Sequence, residues 1–284
     1  MKKKITNNKI IDIWKVNLDI SPQLEEQYWS VLNQEEKERA SRFVKKEHQT
    51  RFIAGRGVLR YLIGDYLNLE PEKVEFAYLT HGKPLLAKNN SYPPLQFNVS
   101  HSHHLGLYAF AYSDDGIGID LELIRPISNV VSLAKRFFTE KEASYLESLS
   151  PPEQIKTFFQ FWTAKEAYLK ATGEGLVGLD NIEVMISASN SNPKSNQLIP
   201  PTPLNKEGQH LGISYKQVEV ITSKQPVTLL SLPLTDNFVA TVACLGDQPL
   251  KTDLIYKPQS EKRLPLLPSD ACHYLQLIVT DQDR

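Results

Sequence analysis

The stretch GIGIDLELIRP, residues 116–126, decides the fold. Ile117, Ile119, Leu121 and Leu123 alternate with Gly118, Asp120 and Glu122. Successive side chains of a strand point to opposite faces. The period of two therefore predicts a strand with one aliphatic face and one face carrying both carboxylates. The acids need not enter the core, and they lie within reach of one cation, with the small Gly118 leaving room beside them. Hard oxygen donors so placed suit Mg²⁺, which takes one or two carboxylates and fills its octahedron with waters and phosphates. A half-exposed strand with a polar outer face shows the same alternation, so the spacing by itself leaves both readings open.

Working outward, QFNVSHS (96–102) and LGLYAFAY (105–112) read as two strands around a polar turn. LTHGKPLL (79–86) holds a Gly-Lys-Pro turn. A polar helix is predicted over 34–47, a longer one over 48–67, and a strand over 9–20. Downstream, Thr139-Glu-Lys-Glu142 and Ser150-Pro-Pro-Glu153 are capping-box starts. The second opens a helix predicted to run from about 153 to 172 and to stop at Gly173. Residues 187–208 are rich in Ser, Asn and Pro and read as a long surface loop. Strands are expected at 213–222, 226–232 and 238–245, and the tail from 247 suggests no role.

A weak internal repeat is visible. Ile11-Asp12-Ile13-Trp14 parallels Ile119-Asp120-Leu121-Glu122, Arg42-Phe43 parallels Arg136-Phe137, and Phe52 to Gly64 matches Phe161 to Gly173 in length. On that pairing the first half has Trp14 in place of Glu122 and Gly57 in place of Glu166. Only the second half keeps the full acidic set.

Composition excludes several classes. The chain has 284 residues, enough for one large domain or two modest ones, with 41% apolar and 23% charged residues. A net charge of −1 gives no field that favours nucleic acid or a membrane surface. Cys244 and Cys272 supply neither a disulfide framework nor a zinc spacing. Asp12 and Lys15 interrupt the apolar residues after the basic start, so no signal peptide is expected, and no apolar run reaches membrane-spanning length. A cytoplasmic location is expected.

Two further motifs carry chemistry. In FWTAKEAYLKATGEGL (161–176), helical spacing puts Trp162, Glu166 and Lys170 on one face, with Lys165 flanking. A carboxylate and an ammonium beside an apolar ring suit a site that handles a metal and a phosphate, and an ordinary surface pair remains the alternative. FNVSHSHH (97–104) has three histidines, but no nearby Cys, Asp or Glu completes a zinc set. Ser100 and His101 instead offer donors to a phosphate, and Gly82-Lys83-Pro84 offers close backbone approach and a cation. GIGIDLE is not a dinucleotide fingerprint, because Leu121 stands where the third glycine belongs.

In this order, GKP, FNVSHS, GIGIDLE and FWTAKEAYLKATGEGL resemble the signatures of the 4'-phosphopantetheinyl transferases of the larger, surfactin-synthetase-activating (Sfp-like) type. RFFTEKEASYL and SRFVKKEHQTRFIAGRGVLR also fit, and the resemblance runs from about residue 10 to about 245. It implies an α+β fold of two similar α/β halves related by a pseudo-twofold axis, with the active site in the cleft between them. The halves would be 1–113, for cofactor contacts, and 114–246, for metal and catalytic residues, with 247–284 an extension.

The resemblance also implies a reaction. Members of the family move the phosphopantetheine arm of coenzyme A onto a serine of a carrier protein and release 3',5'-adenosine bisphosphate. Asp120 and Glu122 would hold Mg²⁺, and Glu166 would complete the metal set or take the serine proton. Lys170 would pair with a diphosphate oxygen. Lys83, Pro84, Ser100 and His101 would contact the adenosine end of the cofactor, and Arg39, Arg51 and Arg56 its other phosphates. Glu36 stands where some relatives carry a lysine. Trp162 would pack beneath the site. The expected partner is a small acidic carrier domain, with no nucleic acid or membrane, and the expected state a monomer. Two rival readings remain: a Mg²⁺-dependent nucleotide phosphohydrolase, and a coenzyme A sensor without chemistry.

Overall fold

The computed structural model describes residues 9–80, 82–87, 91, 94–175, 179–186, 217–220, 226–232, 234, 237–246, 250–257 and 272–281. The expected loop 187–208 and part of the expected strand 213–222 lie outside the described residues. The chain is a mixed α+β protein.

Two five-stranded antiparallel sheets organise it. The first contains β1 (Lys9–Asn17), β4 (Leu95–Ser102), β5 (Leu105–Tyr112), β11 (Leu250–Lys257) and β12 (Cys272–Asp281), in the order β11-β12-β1-β5-β4. The second contains β6 (Ile117–Leu123), β7 (Val184–Ile186), β8 (Gln217–Val220), β9 (Val227–Leu232) and β10 (Phe238–Leu245), in the order β6-β10-β9-β8-β7. A small hairpin pairs β2 (Phe76–Tyr78) with β3 (Pro84–Leu86). The tail thus has a place: β12 lies beside β1, pairing Lys9 with Val279 through Val16 with Cys272, and β11 borders β12.

Six α-helices complete the described fold: α1 (Pro22–Val31), α2 (Gln34–Ser41), α3 (Lys46–Leu67), α4 (Val130–Phe137), α5 (Glu140–Glu147) and α6 (Pro151–Thr172). The break between α2 and α3 falls at residues 42–45, earlier than the spacing predicts, with Lys45 extended. Helix α1 carries the Ser-Pro start that also opens α6, a signal in Ser21-Pro22 that periodicity passes over. The repeat is inexact at the helix ends. Gly173 caps α6 at φ 79°, whereas Gly64 lies inside α3, which ends on Asn68 at φ 52°.

Alternation along the strands builds three cores. Ile11, Ile13, Leu107 and Ala109 of the first sheet meet Ile117, Ile119, Leu121 and Val242 of the second. The opposite faces take the long helices. Trp14, Tyr108 and Phe110 pack with Ile53, Val58 and Leu62 of α3, while Val239 and Ala243 pack with Ala164, Ala167 and Ala171 of α6. The acid face of β6 is therefore the α6 face. Gly118 does not leave open space beside the acids, because a Cβ there would stand 2.0 Å from the Ala167 carbonyl. Backbone of α6 fills that room and brings its side chains onto the acids.

Each long helix also buries a cation. Asn33 and Thr139 cap α2 and α5 in capping boxes whose third-position acids are Glu36 and Glu142. Glu36 meets the fully buried Arg60 of α3 at 2.7 Å, and Glu142 meets the fully buried Lys165 of α6 at 2.5 Å. Burying unpaired ions would cost several kcal/mol each, so these pairs tie the short helices to the long ones.

Candidate active site

The site forms where the edge strands β4 and β6 of the two sheets run side by side. No main-chain ladder joins them; side chains do. Asn98 Oδ1 accepts from the Ile119 N–H at 2.8 Å, Ser100 Oγ from Leu121 N–H at 3.2 Å, and Ser102 Oγ from Leu123 N–H at 3.1 Å. Alternate residues of β4 thus satisfy alternate edge amides of β6, which would otherwise lack partners.

Asp120 is 6% exposed. Its Oδ1 accepts from Ser100 Oγ at 2.9 Å and from Lys170 Nζ at 2.7 Å, while its Oδ2 is buried with no partner. Glu122 is half-buried, and its Oε2 accepts from Ser102 Oγ at 3.1 Å and from Arg125 Nη1 at 3.2 Å. Lys170 Nζ also donates to Ser100 Oγ at 3.1 Å and to the Ile119 carbonyl at 3.2 Å. Glu166 is half-buried one turn before Lys170. Burial, then the neighbouring Asp120 and Glu122 charges, push its carboxyl up to about 7, and Lys170 only partly offsets them.

A cavity of about 460 Å³ opens beside these groups. Gly82, Lys83, Pro84, Asn98 and Val99 line one side, and Glu166, Leu169, Lys170, Gly173 and Gly175 the other. Lys83 Nζ reaches the carbonyls of Ile117 and Lys170. Burial and the Lys170 charge bring it down to about 8. His101 keeps an exposed edge on β4, and desolvation, Lys170 and Arg39 depress its pKa.

The expected arginines differ in their freedom. Arg39 lies over the Phe52 ring at 5.3 Å. Arg51 is held by Asp19 at 2.6 Å and Glu47 at 2.6 Å. Arg56 is held by Glu36 at 2.5 Å, donates to Tyr78 Oη at 3.0 Å and covers Phe76 at 4.4 Å. Trp162 stacks on Phe158 and meets Phe137 edge-on, as a packing residue would. Lys165 does not flank the site; it is buried against Glu142 and donates to the Leu179 carbonyl at 2.8 Å.

The fit to a divalent cation can be tested on these atoms. Among the described residues no three His, Cys, Asp or Glu side chains converge as a closed metal cage. Mg²⁺ rarely uses one, and two carboxylates with water and phosphate oxygens suffice. An unpaired buried carboxylate oxygen lacks the positive partner that burial demands, and Asp120 Oδ2 is such an atom. The donor set is compatible with the ion.

The structure brings Asp120, Glu166, Lys170 and the Lys83 turn, all expected from the sequence, together at this place. Sequence reasoning missed Asn98 and Ser102, although their period of two against β6 was present in FNVSHS. It also missed the second duty of the two capping-box glutamates.

A buried acid, two half-buried ones and two lysines beside a cavity are groups that phosphate chemistry uses. Family comparison narrows that class. Residues 116–229 match the model of the 4'-phosphopantetheinyl transferase superfamily, and residues 21–112 match that of the 4'-phosphopantetheinyl transferase N-terminal region. The chain is 45% identical over 177 residues to the 4'-phosphopantetheinyl transferase HetI of a Nostoc species, covering 62% of this chain and 74% of that protein. It is 33% identical over 168 residues to the 4'-phosphopantetheinyl transferase Sfp of Bacillus subtilis, covering 59% and 72%. A mouse L-aminoadipate-semialdehyde dehydrogenase-phosphopantetheinyl transferase is 32% identical over 152 residues, covering 50% and 48%. The chain belongs to the 4'-phosphopantetheinyl transferase superfamily and to its Sfp-like type.

Proposed function

We propose that this chain transfers the 4'-phosphopantetheine arm of coenzyme A to a serine of an apo carrier protein and releases 3',5'-adenosine bisphosphate. The observation that carries the reading is the buried, unpartnered Oδ2 of Asp120, whose other oxygen is held by Lys170, a residue that lines the cavity together with Glu166. In the reaction a bond forms between the serine oxygen and the phosphorus bearing the pantetheine arm. The diphosphate P–O bond breaks, and its electron pair leaves with the adenosine bisphosphate. Positioning and electrostatic stabilisation do most of such work.

Asp120 and Glu122 would hold Mg²⁺, which when bound supplies charge neutralisation at the diphosphate. Glu166 would complete the ligand set or accept the serine proton, directly or through water. A carboxyl near 7 is poised for the second role. Lys170 would exchange its contact with Asp120 for a diphosphate oxygen. Lys83, Pro84, Ser100 and His101 would contact the cofactor, Ser100 while still gripping Asp120. Arg39 is the arginine readiest for a cofactor phosphate, because Arg51 and Arg56 would have to share theirs with carboxylates.

In this reading the sheets and their long helices are pseudo-twofold halves, split near 113 and 114, and the cavity is the cleft between them. The tail beyond 246 is an extension whose β12 borders β1 and whose β11 borders β12. The enzyme would act as a cytoplasmic monomer on an acidic carrier domain, without nucleic acid or membrane. Among the described residues no helix is long and apolar enough to cross a membrane.

The test is to incubate the chain with coenzyme A, Mg²⁺ and an apo carrier protein and to weigh the carrier. A gain of one phosphopantetheine arm supports transfer. Coenzyme A breakdown without that gain means hydrolysis, and binding without either means a sensor.

A further inference from the structure

The two acids of β6 are gripped in the same way. Each has one oxygen held twice, by a β4 hydroxyl and by a cation: Ser100 and Lys170 on Asp120 Oδ1, Ser102 and Arg125 on Glu122 Oε2. Each serine oxygen also accepts an edge amide of β6, from Leu121 or Leu123. A hydroxyl has one proton and two acceptor sites at a single atom. The amide takes an acceptor site, and the proton is then free to point at the carboxylate. The backbone thereby orients the hydroxyl, and the hydroxyl orients the acid.

Asn98 supplies the contrast. It makes the same stitch to Ile119 N–H, but the residue beside that amide is Gly118, which has no carboxylate to orient. An amide oxygen that only accepts serves there. Hydroxyls stand at the two positions where an acid follows, 100 against 120 and 102 against 122.

We infer that Ser102 is a positioning residue. Its hydroxyl fixes the rotation of the Glu122 carboxylate against the exposed Arg125, so that the second oxygen stays available to the cation that Asp120 would share. Arg125 alone could not do this, since an exposed arginine holds a carboxylate weakly. The inference rests on the magnesium reading above.

The test compares near-isosteric variants. Mn²⁺ is titrated into the full chain with coenzyme A present, and bound ion is read by electron paramagnetic resonance. Ser102→Val should weaken Mn²⁺ roughly tenfold, the lower end for losing an outer partner of a metal ligand. Ser102→Thr, which restores the hydroxyl, should bind as wild type does. In a Glu122→Gln background, Ser102→Val should change affinity less than about twofold, because the two effects run through one group. Equal affinity of the Val and wild-type chains, equal weakness of Val and Thr, or full additivity with Glu122→Gln would each overturn the role. If the Val chain does not fold, Ser102→Ala is compared with Thr in its place. A wild-type chain that binds no Mn²⁺, or an Asp120→Ala chain that binds it as tightly as wild type, sinks the metal reading itself rather than the serine's part in it.

Discussion

Asp12 and Asp120 are both buried acids on strands, each facing a helix of 22 residues, yet they do different things. β1 lies inside its sheet, between β12 and β5, and Asp12 accepts the Tyr66 hydroxyl of α3 at 2.5 Å. β6 is the edge of its sheet, and Asp120 keeps a bare Oδ2. An interior strand has its amides taken by neighbours on both sides. An edge strand needs foreign donors and acceptors, and here they come from the other sheet. The candidate site thus lies where the two sheets meet through side chains. The sharpest break of that comparison is to remove each acid in turn. Asp120→Ala should cut carrier modification by roughly a thousandfold or more, with the chain still folded by circular dichroism. Asp12→Ala should cost about 1–3 kcal/mol of stability and leave turnover of the folded chain near wild type. Near-normal transfer by folded Asp120→Ala would erase the distinction.

The two buried ion pairs differ in what else holds their cations. Arg60 has more than Glu36: it also donates to the Pro71 and Val74 carbonyls at 3.0 and 2.9 Å. Lys165 has Glu142, the Leu179 carbonyl and the Phe138 ring at 4.9 Å. Removing one ion from a buried pair strands the other and costs about 3–5 kcal/mol. Lys165→Met should lower stability by that order in urea melts, and Arg60→Met by less through Glu36, because Arg56 still holds that carboxylate. Adding Glu142→Gln to Lys165→Met should recover part of the loss, because the stranded charge goes with it. A Lys165→Met chain as stable as wild type would mean that Glu142 is held by its bonds to Thr139 and Val184 amides alone.

Much of this is legible in the sequence, and the reason is period. Gly118, Asp120 and Glu122 share a face because strands alternate, and Glu166 and Lys170 share one because helices repeat every 3.6 residues. Capping boxes at Thr139 and Ser150 fix helix starts for the same local reason. What stayed hidden was set by partners distant in sequence. Nothing near Lys165 says that Glu142 waits for it, and nothing near Ser102 says that Glu122 lies across a gap. The tail was unreadable for the same reason: whether residues 272–281 pair with β1 depends on an edge that only the fold exposes. The sequence suggests open room beside the acids at Gly118, because a sequence cannot show which backbone comes to occupy a missing Cβ.

That glycine gives a smaller effect that still separates the two helices. A Cβ on Gly118 would meet Ala167 O at 2.0 Å, and one on Gly57 would meet Tyr28 Cβ at 2.4 Å. The close approach of Tyr28 also leaves no room at Gly57 for an acid like Glu166. Either glycine changed to alanine forces packed elements apart and should cost about 1–3 kcal/mol. The outcomes should then diverge. Gly118→Ala pushes away the helix that carries Glu166 and Lys170, so the folded fraction should turn over more slowly. Gly57→Ala should leave the folded fraction's rate nearly intact. Equal rate losses would mean that α3 and α6 share the catalytic load.

The smallest effect lies within α6 itself, between its two ends. Glu153 closes the capping box, and its bonds to Ser150 hold its carboxyl below the usual range. Glu166, in the acid cluster, is raised to about 7 from 4.5. The signs are opposite. The folded chain keeps a proton on Glu166 that the unfolded chain has already lost, so between about 4.5 and 7 this group's contribution to stability falls as pH rises. Above that window the full cost of ionising it is present. Glu153 contributes stability that is present above its unfolded pKa and lost as pH falls through its lower folded value. Glu166→Gln, which cannot ionise, should therefore raise the melting temperature of the metal-free chain at pH 8 and change it little at pH 5. Glu153→Gln should lower it slightly at pH 8. Thermal melts at the two pH values decide the point. A Glu166→Gln chain that melts lower than wild type at pH 8 would mean that Lys170 binds the Glu166 charge more strongly than burial and the neighbouring acids oppose it. In that case the acid would not be poised to take a proton near neutrality.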